Sequence, residues 1–412
     1  MENIKFIDGG VCAAKGFQAT GFEAGIKAGH SGKKDMAMIY SDAPCKAAGT
    51  FTSNLVKAAP VKWDKKIVTE SEDVRAVLVN SGVANACTGL KGIECCEKLA
   101  AKVADVAGID QNAVLICSTG VIGAQLPLDV MNIGVEKLYP TLEATKQGAL
   151  LAAEAIMTTD TVSKQVAVKT QIGGKEVNIG GMCKGSGMIH INMCTMLGFI
   201  TTDAAISKVM LQKALSEVIP DTFNMVSVDG DTSTNDTVLL LANGLAGNDV
   251  ITEENDDYRQ FKSALYAVCE GLAKKIASDG EGATKLFEVK VINADTKSNA
   301  IGLAKSIVTS TLTKAAVFGN DANWGRILCA MGYSGIVFNP EKVDLYFESV
   351  QGKIKIVEDG VATDYSEEEA TSILKQKEVT CIADVKMGDV DAVAWGCDLT
   401  YDYVKINADY RS

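Results

Sequence analysis

Between Gly180 and Asp203 the chain reads GGMCKGSGMIHINMCTMLGFITTD, and this stretch constrains the fold more than any other. Its second half is too apolar for a surface segment and predicts a buried strand running to Ile200. Its first half sets Gly180, Gly181, Gly185 and Gly187 around Lys184, which reads as a loop that lets backbone approach closely. Within the apolar run, Thr195 sits between Cys194 and Met196, and a buried hydroxyl must find a partner. A strand that carries such a hydroxyl directly after a glycine-rich loop is a candidate site.

The chain leads into this stretch through a hairpin. Gln165–Ile172 and Lys175–Ile179 alternate inward and outward residues around Gly173-Gly174. Further upstream, Ala76–Val79 and Ala113–Cys117 are short apolar runs that predict buried strands. The first ends in Asn80–Ala86, either a packed structural turn or a functional one. The second ends in Ser118-Thr119-Gly120, where backbone N–H groups past a strand could serve an oxyanion. Lys91–Ala107 is amphipathic, with Ile93, Cys96, Leu99, Val103 and Val106 at helical spacing. Helices are also expected over Leu142–Met157, over Ala204–Val218 with Thr202 or Asp203 as cap, and over Tyr258–Ser278. After the last of these, Glu281 between Gly280 and Gly282 lies in a loop, plainly solvated or aiming a carboxylate. Asp229–Asp236 lacks the glycine and the bidentate glutamate of a calcium loop and reads as a polar turn.

From about residue 286 strands and helices alternate, including a capped helix at Ser366 with Glu369. The expectation is an α/β fold of α+β type, a layered mixed-sheet and helix core over 1–285 and a smaller C-terminal α+β domain over 286–412.

Composition narrows the function. A formal charge of −12 argues against a nucleic-acid or acidic-membrane surface, and no apolar segment reaches the length of a membrane span. The N-terminus carries neither a signal nor a transit pattern, so a cytoplasmic protein is expected. None of the 12 cysteines falls in a CxxC pair, and reduced, mostly buried thiols fit best, with no metal site implied. Only two histidines exist, His30 and His190, so the chemistry is expected to run without one. A threonine or serine can instead use its own α-amine as base if it becomes N-terminal. Such an amine has an ordinary pKa of about 7.7–8.0, close to where a general base works. An internal threonine becomes N-terminal when its hydroxyl attacks the preceding carbonyl and the ester hydrolyses.

Lys184-Gly-Ser-Gly-Met-Ile-His-Ile-Asn-Met-Cys-Thr195-Met-Leu, followed by Gly-Phe-Ile-Thr-Thr-Asp203, resembles the signature of the ornithine acetyltransferase family. Asn80–Gly89, Ser118-Thr119-Gly120, Met157–Thr161, Gly280–Lys285, Phe318–Arg326 and Tyr403–Ser412 look like family segments in family order. The resemblance implies an N-terminal-nucleophile-like core of the type shared with the DmpA aminopeptidase. It also implies self-cleavage between Cys194 and Thr195, giving an α chain (1–194) and a β chain (195–412), with two of each assembled. Thr195 is then the nucleophile, and Thr119 and Gly120 match the oxyanion pair. Substrate contacts map onto Thr158, Lys184, Thr195, Glu281, Asn407 and Ser412. The implied reaction is ping-pong transfer of acetyl from N2-acetylornithine to glutamate in arginine biosynthesis, without a cofactor, with acetyl-CoA as a further candidate donor. Cys194 stands where the family usually has alanine, and Ala322 where it has proline. Two alternatives stay open: a self-processing aminopeptidase or amidase with the same nucleophile, and an uncleaved homologue that only binds.

Overall fold

Gly173 and Gly174 close a hairpin between the strands Lys164–Ile172 and Lys175–Lys184, paired from Lys164 opposite Cys183 to Ile172 opposite Lys175. The computed structural model describes residues 3–27, 32–190 and 196–409. Cys194, Thr195 and Ser412 lie outside the described residues.

The hairpin belongs to the first of two units, whose described residues run up to Gly185, from Met196 to Asn224 and from Thr232 to Leu272. Its sheet runs, edge to edge, Lys5–Ile7, Lys164–Ile172, Lys175–Lys184, Leu197–Thr202, Thr237–Ala242, Met36–Phe51, Val74–Val83 and Val114–Val121. Phe17–Phe22 pairs in addition with Met36–Phe51. The sheet is mixed: Leu197–Thr202 is antiparallel to Lys175–Lys184 and parallel to Thr237–Ala242. All six residues of Leu197–Thr202 are buried, the hydroxyls of Thr201 and Thr202 being satisfied by backbone carbonyls.

Helices pack against this sheet through apolar stripes. In Gly89–Ala107 the buried residues are Gly92, Cys95, Cys96, Leu99, Ala100, Val103 and Ala104, recurring every third and fourth position. Burying a side chain such as Leu99 is worth about 1.5–3 kcal/mol. That exceeds the ~0.7 kcal/mol spread of ordinary helix propensities, so packing decides this helix. Gly108 then ends it in the left-handed conformation.

The second unit, residues Ser186–His190, Met225–Asp231 and 273–409 among those described, carries a separate mixed sheet. Its order is Val361–Ala362, Gly352–Glu358, Asp344–Ser349, Glu378–Asp384, Leu286–Ala294, Val390–Cys397, Val226–Thr232 and Ile189–His190. Leu286–Ala294 is parallel to Glu378–Asp384 and antiparallel to Val390–Cys397. Among the described residues no helix is long and apolar enough to cross a membrane.

Several local expectations change. Gly180, Gly181 and Lys184 are strand residues, and the loop begins only at Gly185. A Cβ on Gly180 would lie 1.8 Å from the carbonyl oxygen of Gly10, so this glycine serves a close crossing of backbone. Ser118, Thr119 and Gly120 likewise lie inside a strand. The helix expected from Ala204 starts at Lys208, because Ser207 accepts from the Met210 N–H while Thr202 and Asp203 are engaged elsewhere. Asp203 accepts from the N–H groups of Lys15 and Asn178 and from the Asn178 side chain, and Thr202 donates to the Asn178 carbonyl. Four helices escape sequence reading: Ala59–Glu70, Leu128–Leu138, Thr311–Phe318 and Tyr401–Ala408. The last buries no residue and so has no apolar stripe to betray it.

Candidate active site

Thr119 and Gly120 stand on Val114–Val121, the terminal strand of the first sheet, with Gly120 in register with Gly82. Gly120 has φ +130°, and a Cβ there would lie 2.3 Å from the carbonyl carbon of Gly82, so no other residue fits. The strand is held by two asparagine side chains. Ser118 donates to the Asn80 side chain at 2.6 Å, and its carbonyl accepts from the Asn235 side chain at 2.7 Å. The second amide proton of Asn235 goes to the Ala84 carbonyl at 2.6 Å. Asn80–Ala86 is therefore a packed structural segment that braces the oxyanion candidates. Behind the strand, the fully buried Asp64 accepts from the Ile116 N–H at 2.7 Å and from the Cys117 thiol at 3.1 Å. Burial pushes the Asp64 carboxyl up to about 8, although those two donors pull the other way.

Two residues beyond Asn235, Thr237 donates its N–H to the Met196 carbonyl and pairs with Leu197. Leu197 pairs on its other side with Lys184. The register thus sets Lys184 opposite the residue two positions after Thr195. Lys184 is only 6% exposed, and its ammonium has no hydrogen-bond or ion-pair partner among the described residues. A largely buried lysine at this place suits an anionic ligand.

Lys184 interacts electrostatically with Asp160, a residue to which sequence reasoning assigned no role. Its Oδ1 accepts from the fully buried Lys164 at 2.7 Å and from the Gly185 N–H at 2.8 Å, and its Oδ2 accepts from the Thr158 N–H at 3.1 Å. Burial alone would raise this carboxyl, but Lys184 and Lys164 together with these bonds bring it down to about 2. One carboxylate therefore fixes the Thr158 backbone and the loop that follows Lys184, while its own oxygens are occupied by other donors. The run Thr158-Thr159-Asp160 held the signal, since an aspartate two residues after a threonine can accept from that threonine's backbone.

In the second unit the structure brings Glu281 and Asn407 together. Glu281 is 6% exposed, and its Oε2 accepts from the Asn407 amide at 2.8 Å. The Glu281 N–H donates to the Ser186 carbonyl at 3.0 Å, and the Ser186 hydroxyl donates to the Asp279 carbonyl at 2.7 Å. A Cβ on Gly187 would lie 2.2 Å from the Glu281 carboxyl, so the glycine leaves room for that carboxylate. Glu281 is thus buried and aimed rather than solvated. Asp229 adds a clamp: it accepts from the N–H groups of Met188 at 2.6 Å and Ile189 at 2.8 Å, with Met188 held at φ +57°. A left-handed methionine is a strained backbone, and it lies seven residues before Thr195. His190 Nδ1 lies 3.2 Å from the Ser227 hydroxyl, and burial lowers its pKa. Among the described residues no group of three or more histidine, cysteine or acidic side chains could hold a metal ion.

Comparison with known proteins identifies relatives of the chain. A sequence profile of the ArgJ family matches residues 18–412. The arginine biosynthesis bifunctional protein ArgJ of Caldanaerobacter subterraneus subsp. tengcongensis is 49% identical, over 99% of this chain and 100% of its own length. A solved structure of the protein of that name from Bacillus halodurans is 49% identical over 50% of this chain and 96% of its own, with a TM-score of 0.48. The Mycobacterium tuberculosis ornithine acetyltransferase, solved with ornithine, is 40% identical over 45% of this chain and 97% of its own, with a TM-score of 0.42.

Proposed function

The chain belongs to the ArgJ family, and from that premise we propose that it transfers an acetyl group from N2-acetylornithine to glutamate in arginine biosynthesis. The observation that carries this reading is the register that sets the largely buried Lys184 opposite Leu197, two positions after Thr195.

The first event is self-cleavage. The Thr195 hydroxyl attacks the Cys194 carbonyl, the peptide becomes an ester, and water splits it, leaving Cys194 as one terminus and a free Thr195 amine as another. That amine then serves as the base. The Thr195 oxygen attacks the acetyl carbonyl of N2-acetylornithine, and its proton passes through the amine to the departing nitrogen of ornithine. Thr119 and Gly120 donate to the oxyanion, a contribution of about 10²–10³ in rate at comparable sites. The amine of glutamate then attacks the acetyl-threonine ester, and the Thr195 oxygen recovers a proton as N-acetylglutamate leaves. Lys184 takes the α-carboxylate and Glu281 the ammonium of the amino acid, while Thr158, Asn407 and Ser412 meet the remaining polar groups. The chain's own groups carry every step, so no cofactor is required. Acetyl-CoA is a second donor in the same scheme. The working form is an assembly of two α and two β chains in the cytoplasm.

The test is acetyl transfer from N2-acetylornithine with and without glutamate. Ornithine release that depends on glutamate is expected. Equal release without it would make the protein an amidase. A Thr195→Ala variant is expected to remain one chain and to transfer nothing.

A further inference from the structure

Lys27 has no part in the site described above, yet it reaches the segment that carries Thr158. Its ammonium donates to the Met157 carbonyl at 2.8 Å and to the Lys34 carbonyl at 3.4 Å. That Met157 carbonyl shares a peptide with the Thr158 N–H, which donates to Asp160 Oδ2 at 3.1 Å. One planar peptide is therefore gripped at both ends, by a cation on its oxygen and a carboxylate on its nitrogen. Hydrogen bonds to charged groups are the stronger kind, so the pair leaves the Thr158 backbone little room to turn.

Lys27 is itself held in place. The Asp35 carboxylate, on a residue 1% exposed, accepts from four successive N–H groups. They are those of Ala24 at 2.7 Å, Gly25 at 3.1 Å, Ile26 at 2.6 Å and Lys27 at 3.1 Å. The stem is placed as well: a Cβ on Gly82 would lie 2.9 Å from Lys27 Cγ, so the glycine makes room for the lysine. Gly82 is the residue in register with Gly120, and its neighbour Ser81 donates its hydroxyl to the Ala155 carbonyl at 2.6 Å. Lys27 thus packs on the strand beside the oxyanion candidates and bonds to the segment that carries Thr158. Burial lowers the pKa of its ammonium, Asp35 and Asp160 work to raise it, and Lys33 and Lys184 lower it further. The lysine therefore shares its electrostatic surroundings with Lys184 and Asp160.

We propose that Lys27 is a positioning residue for acetyl transfer: through the Met157 carbonyl it sets the orientation in which Thr158 meets the amino-acid substrate. This role rests on the acetyl-transfer reading. Lys27 acts through the Met157–Thr158 peptide and not on the substrate, and self-cleavage at Thr195 does not depend on it. A tie that only stabilised the fold would change the melting temperature and the amount of active protein, and would leave KM alone.

Steady-state kinetics on the full-length, processed protein test this, with N2-acetylornithine varied and glutamate saturating. Lys27→Met keeps the stem against Gly82 and removes the donor. It is expected to raise KM for N2-acetylornithine about tenfold while kcat changes less than about threefold. Denaturing mass spectrometry is expected to show the same cleavage as in the wild type. Lys27→Gln is one bond shorter but still a donor; its KM is expected to fall between the two, and it carries the test if Lys27→Met does not fold. A wild-type KM in these variants, whatever happens to kcat or melting temperature, overturns the positioning role and leaves acetyl transfer standing. A wild type that transfers no acetyl group overturns the acetyl-transfer reading, and the role with it.

Discussion

At the scale of single residues the decisive group is Asp160. It is buried with Lys164, and removing its charge deprives a fully buried ammonium of this ion-pair partner, a loss of about 3–5 kcal/mol. Asp160→Asn is expected to show most of that loss in urea unfolding at neutral pH. The pH dependence has a definite sign. The folded carboxyl titrates at about 2, below the unfolded value of about 3.9, so its stabilisation is present above pH ~4 and is lost as pH falls towards 2. Asp160→Asn is expected to remove that acid limb. Gly187→Ala is the complementary case. Its new methyl would occupy the space of the Glu281 carboxyl, so acetyl transfer is expected to fall by an order of magnitude or more while the melting temperature moves little. Unchanged kinetics would mean that Glu281 does not hold substrate.

At the scale of elements, the strand Val114–Val121 rests on Asp64. Its carboxyl titrates at about 8 when folded and at about 3.9 when unfolded, so the folded state keeps a proton that the unfolded state loses. Stability is therefore expected to fall between pH ~4 and ~8, by at most about 1.4 kcal/mol per unit, and to level off above. Asp64→Asn keeps an acceptor for Ile116 and is expected to flatten that slope; an unchanged slope would place the titration elsewhere. Elements with a strong period were legible from sequence. Gly89–Ala107, the hairpin turn at Gly173-Gly174 and the capped helix at Ser366 match their expected places closely, although the second hairpin strand runs on to Lys184. Elements set by tertiary partners were not. Asp203 reads as a helix cap, but Lys15 and Asn178 claim its carboxylate, and no local pattern announces partners so distant in sequence. The braces on the site escaped for the same reason: Asn235 reaches Ser118 across 117 positions, and Asp160 reaches Gly185 across 25.

At the scale of the whole molecule, the near absence of histidine together with a threonine in an apolar run after a glycine-rich stretch leads to the expectation of an N-terminal nucleophile. The sequence could not show that Lys184 pairs with Leu197, because register depends on the whole sheet. The account stands on Thr195 carrying the acetyl group. Incubation with N2-acetylornithine in the absence of glutamate, followed by denaturing mass spectrometry, tests this directly. The predicted result is two fragments meeting at Cys194/Thr195, with one acetyl group on Thr195 of the 195–412 fragment that disappears when glutamate is added. A single intact chain, or a cleaved one whose 195–412 fragment never gains acetyl while ornithine is released, would contradict it.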